Sequence, residues 1–184
     1  MVQQRLGEAL DACAPGPIRL VSLCAGQGHD VLGVLPEHPR RDDVTARLVE
    51  LDPDNAADAR ARAAGLPGVE VVTGDAADLG RYVGAVPADV VLVCGIFGNI
   101  SDDDIRHAIE HLSMLCAPGA TVLWTRRRHP PEVMPAIRSW FAGAGFEPLH
   151  LDVEDDHPFA VGTERFVGEP TALDPTVSLF TFIA

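Results

Sequence analysis

Residues 21–30 read Val-Ser-Leu-Cys-Ala-Gly-Gln-Gly-His-Asp, a short apolar run that enters a turn with two glycines. Residues 18–23 are typical of a buried strand, and residues 31–36 of a helix that follows the turn. Because glycine has no Cβ, Gly26 and Gly28 let the backbone approach a ligand and adopt positive φ. The N–H groups at the start of the helix can bind a polar ligand. The pattern predicts a nucleotide-binding turn, although many strand–helix junctions close in this way without a ligand.

The alternation of strands and helices continues along the chain. Further strands are predicted at residues 46–51, 69–72, 88–94 and 120–125, and helices at residues 3–12, 55–64, 102–116 and 132–144. Such alternation predicts an α/β fold with a doubly wound, Rossmann-like parallel sheet and helices on both faces. A length of 184 residues with 47% hydrophobic content is enough for one core. We therefore expect a single domain over residues 1–184.

The C-terminal part of the chain differs from the rest. Residues 147–153 and 176–183 are predicted strands with no convincing helix between them, so they could pair antiparallel. The intervening residues 155–175 are rich in Pro, Asp and Gly and are predicted to be irregular, with a short hairpin at residues 160–167 as an option. Three apolar side chains of this region could cover either a bound substrate or the edge of the sheet: Phe159, Val161 and Phe166.

An acidic residue follows the glycine turn at an informative spacing. Glu50 lies 22 residues after Gly28, at the end of the next predicted strand. Folds that bind an adenosine ligand place an acid about 20 residues after the turn, where it accepts hydrogen bonds from the ribose hydroxyls. Asp52 competes for this role, but the sequence Asp52-Pro53-Asp54 is more typical of a helix start. A solvated strand end is the alternative for Glu50.

A third motif, Gly74-Asp75-Ala76, ends the next strand. A carboxylate there can accept a hydrogen bond from an adenine amino group, and the following backbone N–H can donate to a ring nitrogen. As an isolated tripeptide, the sequence would indicate only a turn. Its position after the glycine turn and Glu50 makes it the third part of one pattern.

These three motifs, followed by the strand at residues 89–94, resemble those of the class I S-adenosylmethionine-dependent methyltransferases over roughly residues 18–150. The resemblance implies a seven-stranded sheet whose last strand is antiparallel and inserted beside the sixth. It also implies S-adenosylmethionine as the cofactor. The implied cofactor-binding residues are Cys24, Ala25, Gly26 and Gly28 near the methionine part, Glu50 with Leu51 at the ribose, Asp75 and Ala76 at the adenine, and Cys94 and Gly95 beside the sulfonium.

The sequence departs from the family pattern at two positions. Ser22 stands where the family usually has an acidic residue, and Cys24 where it has its first glycine. Asp30 could replace the missing acid as a partner for the cofactor's ammonium group, or could only favour the helix dipole. A non-catalytic cofactor-binding module therefore stays an alternative. A nicotinamide-dependent oxidoreductase fits less well, because its GxGxxG motif would need a glycine at Val31.

The sequence says less about the methyl acceptor. A small molecule methylated on oxygen or nitrogen is expected, with Asn99 and His129 as catalytic candidates because they follow predicted strands at their carboxyl ends. His129 could act as a general base or could be an exposed loop residue. The run Arg126-Arg127-Arg128 could contact an anionic substrate or form a solvated loop. The acidic run 102–104 opens a helix, so we expect a cap and no metal site.

Composition limits the remaining possibilities. The formal net charge is -13 and every basic residue is arginine, so no broad basic surface is available for nucleic acid. The four cysteines are scattered without a CxxC pair, which is typical of a reduced compartment. No signal sequence or membrane-spanning run is evident, so a cytoplasmic protein is expected. The lysine-free composition suits a high-GC bacterial genome, and a homodimer stays open.

Overall fold

The computed structural model describes residues 1–127, 133–153 and 159–183. Within these ranges the chain forms a seven-stranded sheet and five α-helices. The strands are β1 (Ile18–Ser22), β2 (Val44–Glu50), β3 (Val69–Thr73), β4 (Ala88–Val93), β5 (Cys116–Arg127), β6 (Phe146–Val153) and β7 (Phe159–Phe166). The helices are α1 (Val2–Ala12), α2 (His29–Leu32), α3 (Pro53–Arg62), α4 (Asp102–His111) and α5 (Met134–Gly143).

The strand order is β3-β2-β1-β4-β5-β7-β6. Strands β1 to β5 pair in parallel, whereas β7 pairs antiparallel with both β5 and β6. This topology confirms the expected seven-stranded sheet with its last strand antiparallel and inserted beside the sixth. The order reverses between β1 and β4, and in open α/β sheets ligands bind at the carboxyl ends of the strands on either side of such a reversal.

Helices cover both faces of the sheet, as predicted. One core packs α1, α2 and α3 against β-strand residues such as Leu20 and Leu92. The other packs α4 and α5 against residues such as Val91 and Trp124. Successive residues of β4 point to opposite faces and all except Asp89 are buried, which explains the continuous apolar run from Val90 to Val93. No helix in the described part of the chain is long and apolar enough to cross a membrane.

The prediction that residues 176–183 form the last strand of the sheet was wrong. The seventh strand is β7, formed within the segment expected to be irregular, and its residues form one strand rather than a hairpin. Residues 176–183 make only isolated bridges from Ser178 and Phe182, and their Leu179 and Phe180 fill the core on the α4 side. The strand signal of β7 was weak because this strand lies between two others and contains a glycine and a buried glutamate instead of an alternating pattern.

Candidate functional site

A cavity of about 520 Å³ lies where the carboxyl ends of β1 and β4 meet, at the reversal of strand order. Five of the cofactor-binding residues expected from the sequence line it: Cys24, Ala25, Gly26, Cys94 and Gly95. The first residues of α1, among them Gln3, close one side, and Thr125 and Val161 close another. The structure therefore brings the glycine turn and the end of β4 together around one space.

The glycine turn keeps a glycine-like conformation even where glycine is absent. Gly26 has φ 55° and Gly28 has φ 75°, and Cys24 has φ 49°, which makes it the only non-glycine residue with positive φ in the described ranges. A Cβ added at Gly28 would also lie 2.6 Å from the Leu32 Cδ1, so the end of that side chain would have to shift. The Ala25 N–H donates to the carbonyl of Val49, which fixes the turn to β2. The Cys24 departure thus leaves the backbone shape of the turn intact.

The Glu50 carboxylate lies buried beneath this turn. Its Oε2 accepts a hydrogen bond from the Gly26 N–H at 2.7 Å, and its Oε1 accepts one from the Asp52 N–H at 2.9 Å. Each carboxylate oxygen has a second lone pair, so both can still accept a hydrogen bond from a ligand hydroxyl. Asp52 caps α3, as predicted, because its side chain accepts from the N–H groups of Asp54 and Asn55.

The third motif lies next to Glu50. The Gly74 N–H donates to the Glu50 carbonyl at 2.8 Å, which sets the ends of β2 and β3 side by side. Asp75 is exposed and Ala76 is buried, while the Ala76 carbonyl accepts a hydrogen bond from the Tyr82 hydroxyl. Leu51, also named from the sequence, is exposed at the same edge. Glu50, Leu51, Asp75 and Ala76 do not line the cavity described above. They follow β2 and β3, which lie on the other side of β1 from β4.

Charges and burial keep the thiols at the cavity neutral. Burial, together with the nearby carboxylates of Glu50 and Asp75, raises the pKa of the Cys24 thiol to about 12. Burial raises the pKa of Cys94 even further, with a smaller contribution from Asp30. Burial also raises the pKa of Asp30, which His29 partly offsets. Neither cysteine is a thiolate nucleophile at neutral pH.

A second cavity, of about 530 Å³, opens beside the first. The two share Gly95, Thr125 and Phe159, and the second is completed by Gly98, Asn99 and Arg127. The Asn99 Nδ2 donates to the Gly95 carbonyl at 2.7 Å, and the Gly95 N–H donates to the Thr125 hydroxyl at 2.8 Å. Asn99 therefore lies beyond the carboxyl end of β4, at the second cavity, whereas His129 lies outside the described residues.

The three residues that could cover a bound substrate lie in two different places in the structure. Phe159 and Val161 line the first cavity as part of β7. Phe166 is buried in the core, with its ring 4.9 Å from that of Phe146, so it covers no ligand. The first two arginines of the run 126–128 differ in exposure. Arg126 is buried and its guanidinium donates to the Phe97 carbonyl, whereas Arg127 is exposed at the second cavity.

Sequence reasoning did not find the contributions of α1 or Thr125. These residues come from distant parts of the chain and carry no motif, so only the pairing of β5 with β7 and the docking of α1 bring them to the cavity.

The acidic run 102–104 forms the first turn of α4, where the Asp104 N–H donates to the Ser101 hydroxyl. No group of three potential metal ligands occurs within the described ranges.

No known family profile matches the sequence, and no curated protein matches it. Solved structures do match. Magnesium protoporphyrin IX methyltransferase from Synechocystis, solved with bound S-adenosylmethionine, has a TM-score of 0.69 at 11% identity, covering 89% of this chain and 77% of its own. Aeropyrum pernix fibrillarin, with natively bound S-adenosylmethionine, has a TM-score of 0.66 at 16% identity, covering 89% and 75%.

An O-methyltransferase family protein from Burkholderia thailandensis has a TM-score of 0.66 at 17% identity, covering 90% of this chain and 56% of its own. This chain thus spans little more than half the length of that protein. Because the sequence identities are low, the comparisons establish only the shared architecture and say nothing about substrates. Together with the strand order and the inserted antiparallel β7, they show that the chain has the fold of the class I S-adenosylmethionine-dependent methyltransferases.

Proposed function

We propose that the protein is an S-adenosylmethionine-dependent methyltransferase that methylates a small molecule on oxygen or nitrogen. The observation that carries the proposal is the pair of adjoining cavities at the carboxyl ends of β1, β4 and β5. One is bounded by the glycine turn and the other by Asn99 and Arg127. A cofactor and an acceptor could lie side by side there, with Gly95 and Thr125 between them.

The residues present fit the cofactor. The turn from Cys24 to Gly28 has the positive φ values that bring its backbone close to a ligand, and Glu50 keeps free acceptor capacity for two ribose hydroxyls. In this proposal Cys24, Ala25 and Gly26 face the methionine part. Asp75 and the Ala76 backbone bind the adenine beside Leu51, and Cys94 and Gly95 lie beside the sulfur.

Asp30 supplies the acid that Ser22 does not. It lines the first cavity and is partly buried, and burial raises its pKa. A carboxylate in such a place gains from a cationic partner, because the partner offsets the cost of burial. The cofactor's ammonium group is such a cation. The proposal therefore assigns Asp30 to that group, in place of the usual acid at the position of Ser22.

When bound, S-adenosylmethionine supplies a methyl group on a positively charged sulfur. An acceptor hydroxyl or amine would take up this methyl group and would have to release its own proton. The protein's task is to align the acceptor and to receive the proton. Asn99, held by its bond to Gly95, can orient the acceptor's hydroxyl or amine. His129 stays the proposed general base on sequence grounds.

Calorimetry with S-adenosylhomocysteine tests the proposal, with reduced nicotinamide cofactor as the comparison ligand. We expect the former to bind and the latter not to bind. Transfer of a labelled methyl group to a panel of phenols, amines and hydroxy acids then tests turnover. Absence of S-adenosylhomocysteine binding would contradict the proposal. Tight binding without turnover on any acceptor would favour a non-catalytic module instead.

A further inference from the structure

The second cavity has a single charged residue among its described lining residues, and that residue is Arg127. The other described lining residues are neutral: Gly95, Gly98, Asn99, Thr125 and Phe159. No carboxylate of the described chain forms a salt bridge with the Arg127 guanidinium. Six other arginines of the described residues do have such partners, for example Arg5 with Asp152, Arg47 with Glu70 and Arg106 with Glu110.

The Arg127 guanidinium has a defined position. Its Cζ lies 5.5 Å from the centroid of the Phe159 ring, within the range of a cation–π contact. The pairing of Arg127 with Phe159 between β5 and β7 holds the two residues together. Gly98 lies beside Arg127, because a Cβ on Gly98 would be in ordinary van der Waals contact with the Arg127 Cβ, at 3.8 Å. A guanidinium that rests on a ring keeps its N–H groups available at its edge, where they match the two oxygens of a carboxylate.

At long range, the negative net charge of the protein disfavours the approach of an anionic ligand. With a formal charge of -13, the surface as a whole repels anions and attracts cations. Salt screens this field beyond about 8 Å at physiological ionic strength, so the nearest fixed charge dominates within the cavity. That nearest charge is the Arg127 cation. A cationic acceptor would meet it directly, whereas an anionic one would find its partner there.

We infer that the acceptor is a carboxylic acid whose carboxylate binds Arg127, while its hydroxyl or amine lies toward Asn99 and Gly95. The inference rests on the proposed function, and it names the substrate class for that site. The methyl-transfer step is unchanged, and the carboxylate remains intact throughout. Two charge-assisted hydrogen bonds from one guanidinium favour a carboxylate over its uncharged amide by roughly ten- to a hundredfold.

Benzoate and benzamide are suitable probes because they have the same shape and differ in charge. Each is titrated into ¹⁵N-labelled protein, with and without saturating S-adenosylhomocysteine, while the amide signals of Gly95, Gly98 and Asn99 are followed by NMR. We expect benzoate to shift these signals and to bind about tenfold or more tightly than benzamide. Arg127→Gln removes this preference, and Arg127→Lys retains part of it. Arg106→Gln, an equal change of charge at an exposed residue of α4, leaves it unchanged.

Equal binding of the two probes, no benzoate binding at these amides, or a preference that survives in Arg127→Gln would overturn the inference. The NMR spectrum of each variant reports directly whether it has folded. Calorimetry with S-adenosylhomocysteine on the same samples separates the two hypotheses. Failure of that ligand to bind, with the benzoate preference intact, contradicts the methyltransferase proposal and leaves the carboxylate site standing. The reverse pattern overturns only the carboxylate site.

Discussion

The Glu50 carboxylate accepts a hydrogen bond from the backbone N–H of Gly26 at 2.7 Å, across 24 residues of sequence. This bond ties the end of β2 to the turn that follows β1. The other carboxylate oxygen accepts from the Asp52 N–H, so Glu50 also fixes the start of α3. One buried side chain thus shapes the proposed cofactor site, and each of its two carboxylate oxygens keeps a lone pair that could accept from a ribose hydroxyl.

Replacing Glu50 with Gln is expected to weaken S-adenosylhomocysteine binding by about ten- to a hundredfold, because an amide cannot accept on both sides as a carboxylate does. Calorimetry measures the change. Asp52→Asn is the matched control, since Asn caps a helix about as well as Asp. If Asp52→Asn weakens binding as much as Glu50→Gln, the assignment of Glu50 to the ribose is wrong.

The left-handed conformation of Cys24 predicts that Cys24→Gly is more stable than Cys24→Ala, by up to about 1 kcal/mol. Both variants lose the thiol, but only glycine adopts φ 49° without steric cost. Denaturant unfolding of the two variants measures the difference. We expect Cys24→Gly to retain S-adenosylhomocysteine binding as well. A more stable alanine variant would show that the turn relaxes out of this conformation.

The buried Glu164 makes stability depend on pH. Burial raises the pKa of Glu164 from 4.5 to about 7, although the Trp124 indole N–H donates to its Oε1 at 3.3 Å and Arg138 is nearby. Below pH 4.5 the carboxyl is protonated in both the folded and the unfolded chain. As the pH rises toward 7, the unfolded chain loses this proton while the folded chain retains it, so the free energy of unfolding falls.

Glu164→Gln removes this dependence. Relative to the parent protein, the variant is expected to gain about 2 to 3 kcal/mol between pH 4 and pH 8. Urea unfolding across that range measures the gain, and Glu147→Gln on the exposed side of β6 is the control. A stability difference between Glu164→Gln and the parent that does not change with pH would contradict the raised pKa.

Gly162 is required by the indole of Trp124, because a Cβ at this position would collide with the Trp124 ring. Gly162→Ala is therefore expected to lower the free energy of unfolding by about 1 to 3 kcal/mol, as overpacked cores do. Gly7→Ala is the opposite control: Gly7 lies in α1 with nothing near its added Cβ, and the change should stabilise by about 0.5 to 1 kcal/mol. Thermal unfolding compares the two, and an unaffected Gly162→Ala would mean that Trp124 can move aside.

Two residues of β7 explain why it was not predicted as a strand from the sequence. Gly162 and Glu164 weaken a strand pattern when the sequence is considered alone, but in the structure Gly162 leaves room for the Trp124 indole and Glu164 accepts a hydrogen bond from its N–H. The apolar residues 176–183 had the stronger strand pattern and were assigned to the sheet in its place. In the structure only Leu179 and Phe180 of this segment enter the core on the α4 side, whereas Phe182 and Ile183 are exposed. An apolar pattern does not report which neighbour provides the hydrogen bonds of a strand.

The sequence by itself determined the parallel half of the sheet, the glycine turn, the place of Glu50 and the capping role of Asp52. These features depend on residues close together in the chain, where spacing and backbone preferences act directly. The tertiary structure alone decided which residues form β7, the closure of the first cavity by α1 and Val161, and the placement of Arg127 over Phe159 at the second. Those contacts join residues far apart in sequence, and their energies come from packing and burial that no local pattern encodes.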